Sequence, residues 1–116
     1  MLVFKKFEQI YIYRPFIDFR KGIKGLAGFV QDHMNINPFK NYLFLFSNRK
    51  SDRIKVLYWD KNGFALWYKI LEQEKFKWPY HLDEENLVVD VKKLNKLLDG
   101  LDPWQIGHKK LSFSSV

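Results

Sequence analysis

The chain has 116 residues and no cysteine, and its 20 Lys and Arg against 13 Asp and Glu give a net charge of +7. These figures exclude a disulfide framework and a thiolate metal site, and they predict one domain of ordinary size whose core needs no staple. The basic surplus favours polyanionic partners through counterion release, nucleic acid first among them; the plainer reading is a basic surface that only aids solubility.

No apolar run approaches the roughly 18 residues of a transmembrane helix. Met1 to Lys6 lacks the basic-then-apolar order of a signal peptide. A cytoplasmic protein with no membrane association is therefore expected.

Ile10 to Tyr13 (IYIY) is β-branched and aromatic throughout and predicts a short strand, ended by Arg14-Pro15 because proline cannot donate to a ladder. Asp18 stands where a helix N-cap belongs, and the spacing of Ile23, Leu26, Ala27, Val30 and Met34 predicts a helix from Phe19 to about Met34. Gly22, Gly25 and Gly28 lie inside that span at a cost of up to about 1 kcal/mol each relative to alanine, which predicts close packing of the helix on a sheet. Arg20, Lys21 and Lys24 crowd its first turns, where the macrodipole disfavours cations. Two readings stand side by side: an anion site suited to phosphate, or an ordinary ion pair from Asp18 to Arg20 or Lys21.

Asn35 to Asn41, with Pro38-Phe39, reads as a loop. The stretch from Tyr42 to Pro79 holds three of the four tryptophans, and its apolar runs are divided by two polar segments, Asn48 to Asp52 and Asp60 to Gly63. That pattern predicts an antiparallel β-meander, with Asn62-Gly63 supplying positive φ at the second turn. Tyr42, Phe44 and Phe46 alternate with Leu43 and Leu45, so both faces of the first meander strand are apolar and it should be covered on both sides. In the next two strands one face is apolar, and Lys55, Trp59, Trp67 and Lys69 mark a mixed face of cations and rings. Such a face suits stacking of unpaired bases; equally, lysine stems and tryptophan can simply cover a sheet while the charges stay in water.

Lys75 to Pro79 suggests a fourth short meander strand, and Leu87-Val88-Val89 a further extended segment. Asp90 is a second N-cap candidate, followed by the stripe Leu94, Leu97, Leu98 and Leu101, which Gly100 and Pro103 end. His33, His81 and His108 lie in different elements without metal-ligand spacing, and no Gly-rich phosphate loop is present. Asp18, Asp52 and Asp60 could form a metal-dependent nuclease site only if the fold gathered them, but they read better as a cap and two turn residues.

IYIY and the later GFALWY superficially match the two aromatic motifs of the RNA-recognition motif. The order of elements is wrong for it, since three consecutive strands follow the first helix, so the match is chance. A longer correspondence covers most of the chain. DFRKGIKGLAGFV (Asp18 to Val30), Pro38-Phe39, LFLFSNRKSDRIKVLYWDKNGFALWYKILEQEKFKWP (Leu43 to Pro79) and LNKLLDGLD (Leu94 to Asp102) resemble successive blocks of one family. It is the small accessory protein, called TnpB or the second open reading frame product, of the IS-66 family of bacterial insertion sequences. Ala65 stands where that family often has cysteine. The resemblance implies a part in mobility of the element beside a separate, larger transposase, with no acidic catalytic triad in the accessory protein itself.

The combined expectation is a single α+β domain over residues 1–103, an antiparallel β-meander sheet of four to five strands packed with two α-helices, and a basic, Ser-rich, flexible tail over 104–116. Its function would be non-catalytic, without cofactor or metal. Contacts to DNA at the element ends would come from Arg20, Lys21, Lys24, Arg49, Lys50, Arg53, Lys55 and Lys69, with Trp59, Trp67, Tyr68 and Trp78 as a stacking or interface set. The alternative is a module that docks on the transposase without touching DNA, using its aromatics and arginines as the interface.

Overall fold

The computed structural model describes residues 6–105. Five strands, β1 (Gln9–Tyr13), β2 (Tyr42–Ser47), β3 (Arg53–Asp60), β4 (Gly63–Ile70) and β5 (Asn86–Val88), form one sheet in the order β4-β3-β2-β1-β5. The meander β2-β3-β4 is antiparallel as its turns predict, and the Leu87-Val88 segment is the antiparallel strand β5. The sheet is nonetheless mixed, because β1 pairs in parallel with β2. Parallel neighbours need a crossover, and the helical segment between them supplies it.

That helical segment is shorter than its periodicity suggests. Helix α1 spans Ile23–Phe29 and runs on into a π-helical turn, Val30–Met34, closed by Asn35 in the left-handed conformation. Asp18 is not its cap: its Oδ1 accepts the Arg20 N–H at 2.9 Å, a local turn that competes with helix. Gly22 occupies the N-cap without a side-chain bond, and the buried stripe is Leu26, Ala27, Val30 and Met34. Nor are the glycines close-packing positions, since a Cβ at Gly22 or Gly28 would meet nothing within 4 Å and one at Gly25 only the Lys21 side chain. Nothing in the structure explains why these three sites are glycine.

The second helix, α2 (Val91–Leu98), follows its signals closely. Asp90 caps it by accepting the Lys93 N–H at 2.8 Å, and Gly100, at φ 82°, closes a C-terminal motif in which Leu101 N–H reaches Lys96 O. Leu94, Leu97 and Leu98 are buried, whereas Leu101 is exposed.

The sheet is covered on both sides, as the doubly apolar β2 requires. On one face Ile10, Ile12, Leu43, Leu45, Ile54 and Val56 pack against Leu94, Leu97 and Leu98 of α2 and against Phe76 and Trp78. On the other, Phe44, Phe46, Leu57 and Tyr13 pack against Leu26, Ala27, Val30 and Met34. Lys75 to Pro79 is not a strand. Trp78 N–H bonds Phe76 O and Tyr80 N–H bonds Trp78 O, successive three-residue turns that use locally the donors a strand would give to a neighbour. Trp104 packs against the α2-side core and donates its indole N–H to Lys77 O, so the first residue of the expected tail is tied to the domain. The tail from residue 106 lies outside the described residues.

At the β3–β4 turn the paired residues are Asp60 and Gly63, and the residue at positive φ is Lys61 (58°), not Asn62 or Gly63. Among the described residues no helix is long and apolar enough to cross a membrane.

Candidate nucleic-acid interface

A densely hydrogen-bonded basic feature is the β2–β3 turn. Ser51 takes the left-handed conformation (φ 61°), Asn48 Nδ2 donates to Asp52 Oδ1 at 2.6 Å, and Asn48 Oδ1 accepts the Arg53 N–H at 3.1 Å. From outside the turn, the Phe76 and Leu71 N–H groups bond Ser51 O and Asp52 O, and the Ser51 hydroxyl donates to Tyr80 Oη. A turn held at this many points carries Arg49, Lys50 and Arg53 on a fixed backbone, all three exposed. The Asn48 amide bond also holds the Asp52 carboxyl below the usual carboxylate range.

Facing this turn is the β1–α1 loop. Phe16, Ile17, Asp18 and Phe19 close an open cleft of about 510 Å³ with Asn48, Arg49, Lys50, Asp52 and Arg53. Ile17 N–H bonds Ser47 O, and Arg49 lies 5.7 Å above the ring of Phe16, itself 49% exposed. Asp18 chelates the guanidinium of Arg20 (Nη2 to Oδ2 2.6 Å), and those hydrogen bonds lower its carboxyl to about 2. Of the two readings of the early cations, the ion pair is therefore realised for Arg20. Lys21 and Lys24 stand beside the start of α1, with Lys21 Nζ 5.9 Å from the Phe29 ring and Lys24 exposed.

The remaining candidates are placed elsewhere. Lys55 is only 5% exposed; its ammonium donates to Phe19 O and Lys21 O, each at 2.8 Å, and lies 4.7 Å from the Phe19 ring. Burial pushes its pKa down. Its task is to fasten the β1–α1 loop to the sheet. Lys69 Nζ donates to Leu98 O at the end of α2.

The expected mixed face does not exist. Lys55 pairs with Tyr68, Trp59 with Phe64, Val56 with Trp67 and Ile54 with Lys69, so Lys55 and Trp59 lie on the α1 side while Trp67 and Lys69 lie on the α2 side. Trp78 is 6% exposed and gives its indole N–H to Arg14 O, which removes it from any stacking surface. Tyr68 lies above Lys55 and accepts from Arg53 Nη1 at 3.3 Å. Trp59 instead joins Phe39 and Phe64 in an aromatic group at the opposite end of β3, with ring centroids 5.0 to 5.3 Å apart. Asp18 and Asp52 share the cleft but Asp60 is at the far end of β3, and among the described residues no three acidic or histidine side chains gather as a metal site.

Phe16 and Asn48 line the cleft, and Ser51 is buried in the turn beside it; none of the three is among the residues expected to act at the site. Asn48 and Ser51 carry turn chemistry in plain view, since Asn and Ser side chains bond nearby backbone; Phe16, one apolar residue after a proline, carries no such signal.

Two proteins of Sinorhizobium fredii, "Uncharacterized protein y4jC" and "Uncharacterized protein y4hO", are similar to this chain. Each is 31% identical, over 93 residues (80% of this chain and 79% of the relative) and 97 residues (84% and 83%) respectively. No solved structure matches. The family described as "IS66 Orf2 like protein" matches residues 8–108, nearly the whole chain, and the chain belongs to that family of insertion-element-associated proteins.

Proposed function

We propose that the protein is a non-catalytic accessory factor of element transposition that contacts DNA through the cleft between the β1–α1 loop and the β2–β3 turn. The observation that carries this reading is the turn itself. Arg49, Lys50 and Arg53 project from a backbone fixed by Asn48, Asp52, Ser51 and Tyr80. The two carboxylates in the cleft are already engaged, Asp18 with Arg20 and Asp52 with Asn48. Exposed cations carried on a fixed backbone suit phosphate, which positions a protein on nucleic acid without reading sequence. Lys21 and Lys24 extend the same basic region.

The test is anisotropy of labelled duplex and single-stranded DNA from the element ends, titrated at several salt concentrations. Three phosphate contacts predict a log–log salt slope of about −2.7 on duplex and about −2.1 on a single strand. Arg49→Glu with Lys50→Glu is expected to abolish binding while leaving the fold intact. Absence of binding to either form at low salt refutes direct contact.

The aromatic group Phe39, Trp59 and Phe64 supports a second reading, docking on the transposase, because Phe39 is 54% exposed and rings anchor protein interfaces. Such docking is expected to survive salt that strips the DNA, and to fall on Phe39→Ala.

A further inference from the structure

The two edges of the sheet differ sharply. β5 has three residues, too few to template another strand, but β4 runs eight residues with no proline and one charged side chain, Lys69, whose ammonium is turned onto Leu98 O. Natural edges are blunted by shortness, proline, bulges or outward lysines. Of these, and of the inward-pointing charges that also guard edges, β4 has only Lys69, whose ammonium is engaged by Leu98 O.

The ladder tells which of its backbone groups are unused. Leu71 N–H bonds Asp52 O, and Asp60 pairs with Gly63, so the odd-numbered residues of β4 exchange bonds with β3. The N–H and C=O groups of Phe64, Leu66, Tyr68 and Ile70 therefore point away from the sheet. Among the described residues none bonds to them.

We propose that β4 pairs with β4 of a second copy, antiparallel about a two-fold axis at Trp67, joining two sheets into one of ten strands. This register is selected by matching faces and by counting bonds. A two-fold axis normal to the sheet keeps each face continuous, so paired residues must share parity. An axis at Trp67 sets Phe64 opposite Ile70 and Leu66 opposite Tyr68 of the second copy, and uses all four outward residues of each strand. An axis at Leu66 would place Ile70 against Asn62, inside the turn, and waste that end.

Side chains agree with the pairing. Tyr68 and Ile70, 43% and 47% exposed, come to lie against Leu66 and Phe64 of the second copy. On the opposite face Lys69 falls across from Ala65, a residue small enough to leave its stem directed at α2, and no like charges face each other. A second copy fits this edge because the edge is complementary to itself, the condition for an isologous interface. The inference is independent of DNA contact, since the cleft is built on other elements.

Sedimentation of the full chain between about 1 and 100 μM is expected to give a species of twice the 14.1 kDa chain mass. Tyr68→Pro and Ile70→Pro each delete an outward N–H and spare the β3 ladder, so each is expected to sediment as monomer with an unchanged circular dichroism spectrum. Because the chain has no cysteine, the double variant Ala65→Cys with Lys69→Cys reads the register directly. These positions face each other as a non-hydrogen-bonded pair, with Cα atoms about 4.5 Å apart, and should oxidise to a covalent dimer. A monomer at 100 μM, as expected if another protein's strand is the true occupant, overturns the proposal. So does a dimer that persists in both proline variants, or one that fails to cross-link through the paired cysteines.

Discussion

Replacing Lys55 by methionine separates a structural cation from a phosphate contact. The ammonium makes two charge-assisted bonds, to Phe19 O and Lys21 O, at 2.8 Å each. Bonds of that type contribute about 1.5–3 kcal/mol apiece, and two carbonyls would be left without a donor. Against this stands the cost of burying the charge, which shows as its lowered pKa and which methionine, similar in length, would relieve. The balance is a loss of about 2–4 kcal/mol, or a fall in Tm of roughly 8–16 °C for a domain of this size. Urea unfolding followed by fluorescence should show the midpoint falling at constant slope. In the folded variant the salt slope of DNA binding should be unchanged, whereas a lost phosphate contact would reduce it by about 0.9. A destabilisation below about 0.5 kcal/mol, or a reduced slope, would refute the clamp.

Two further outcomes concern Asp18, beside this clamp, and Asp90, at the start of α2. The Asp18 carboxyl, at about 2 in the folded chain, lies below its ordinary 3.8, so the stability from its pairing with Arg20 is complete above about pH 4 and is lost as pH falls towards 2; Asp18→Asn should flatten that part of the acid limb in urea midpoints measured against pH. Asp90→Ala removes the acceptor of the Lys93 N–H and should cost about 1 kcal/mol by urea unfolding, with no effect on DNA affinity.

The sequence makes the meander legible because its two turns carry turn chemistry, and α2 legible because cap, stripe and closing glycine agree with one another. Asp18 misleads because the same carboxylate that can cap a helix can bond the second residue after it, and here Arg20 supplies both the N–H and the counter-charge. The faces of β3 and β4 misread for a different reason. The loop between the paired residues Asp60 and Gly63 has two residues, which sets odd positions of β3 beside even positions of β4. Grouping Lys55 with Trp67 needs a slip of one residue, and one residue inverts every side chain. Composition likewise cannot separate a solvated lysine from one folded back onto carbonyls, as Lys55 and Lys69 are. In Arg49, Lys50 and Arg53 the pattern and the geometry coincide, because a polar turn is both where cations are tolerated and where they stay exposed.

The position of β1 sets the order in which this sheet can be assembled. Its partners are β2, reached after the α1 crossover, and β5, whose Leu87 and Val88 meet Ile12 and Tyr11 across most of the chain. The three meander strands can close on one another through short loops, a fast local process, whereas the first strand made must wait for one of the last. During synthesis β1 is therefore a strand without its outer neighbour until residues beyond 88 have left the ribosome. A chain stopped before Asn86 would leave the outer edge of β1 unpaired, a template for pairing between chains.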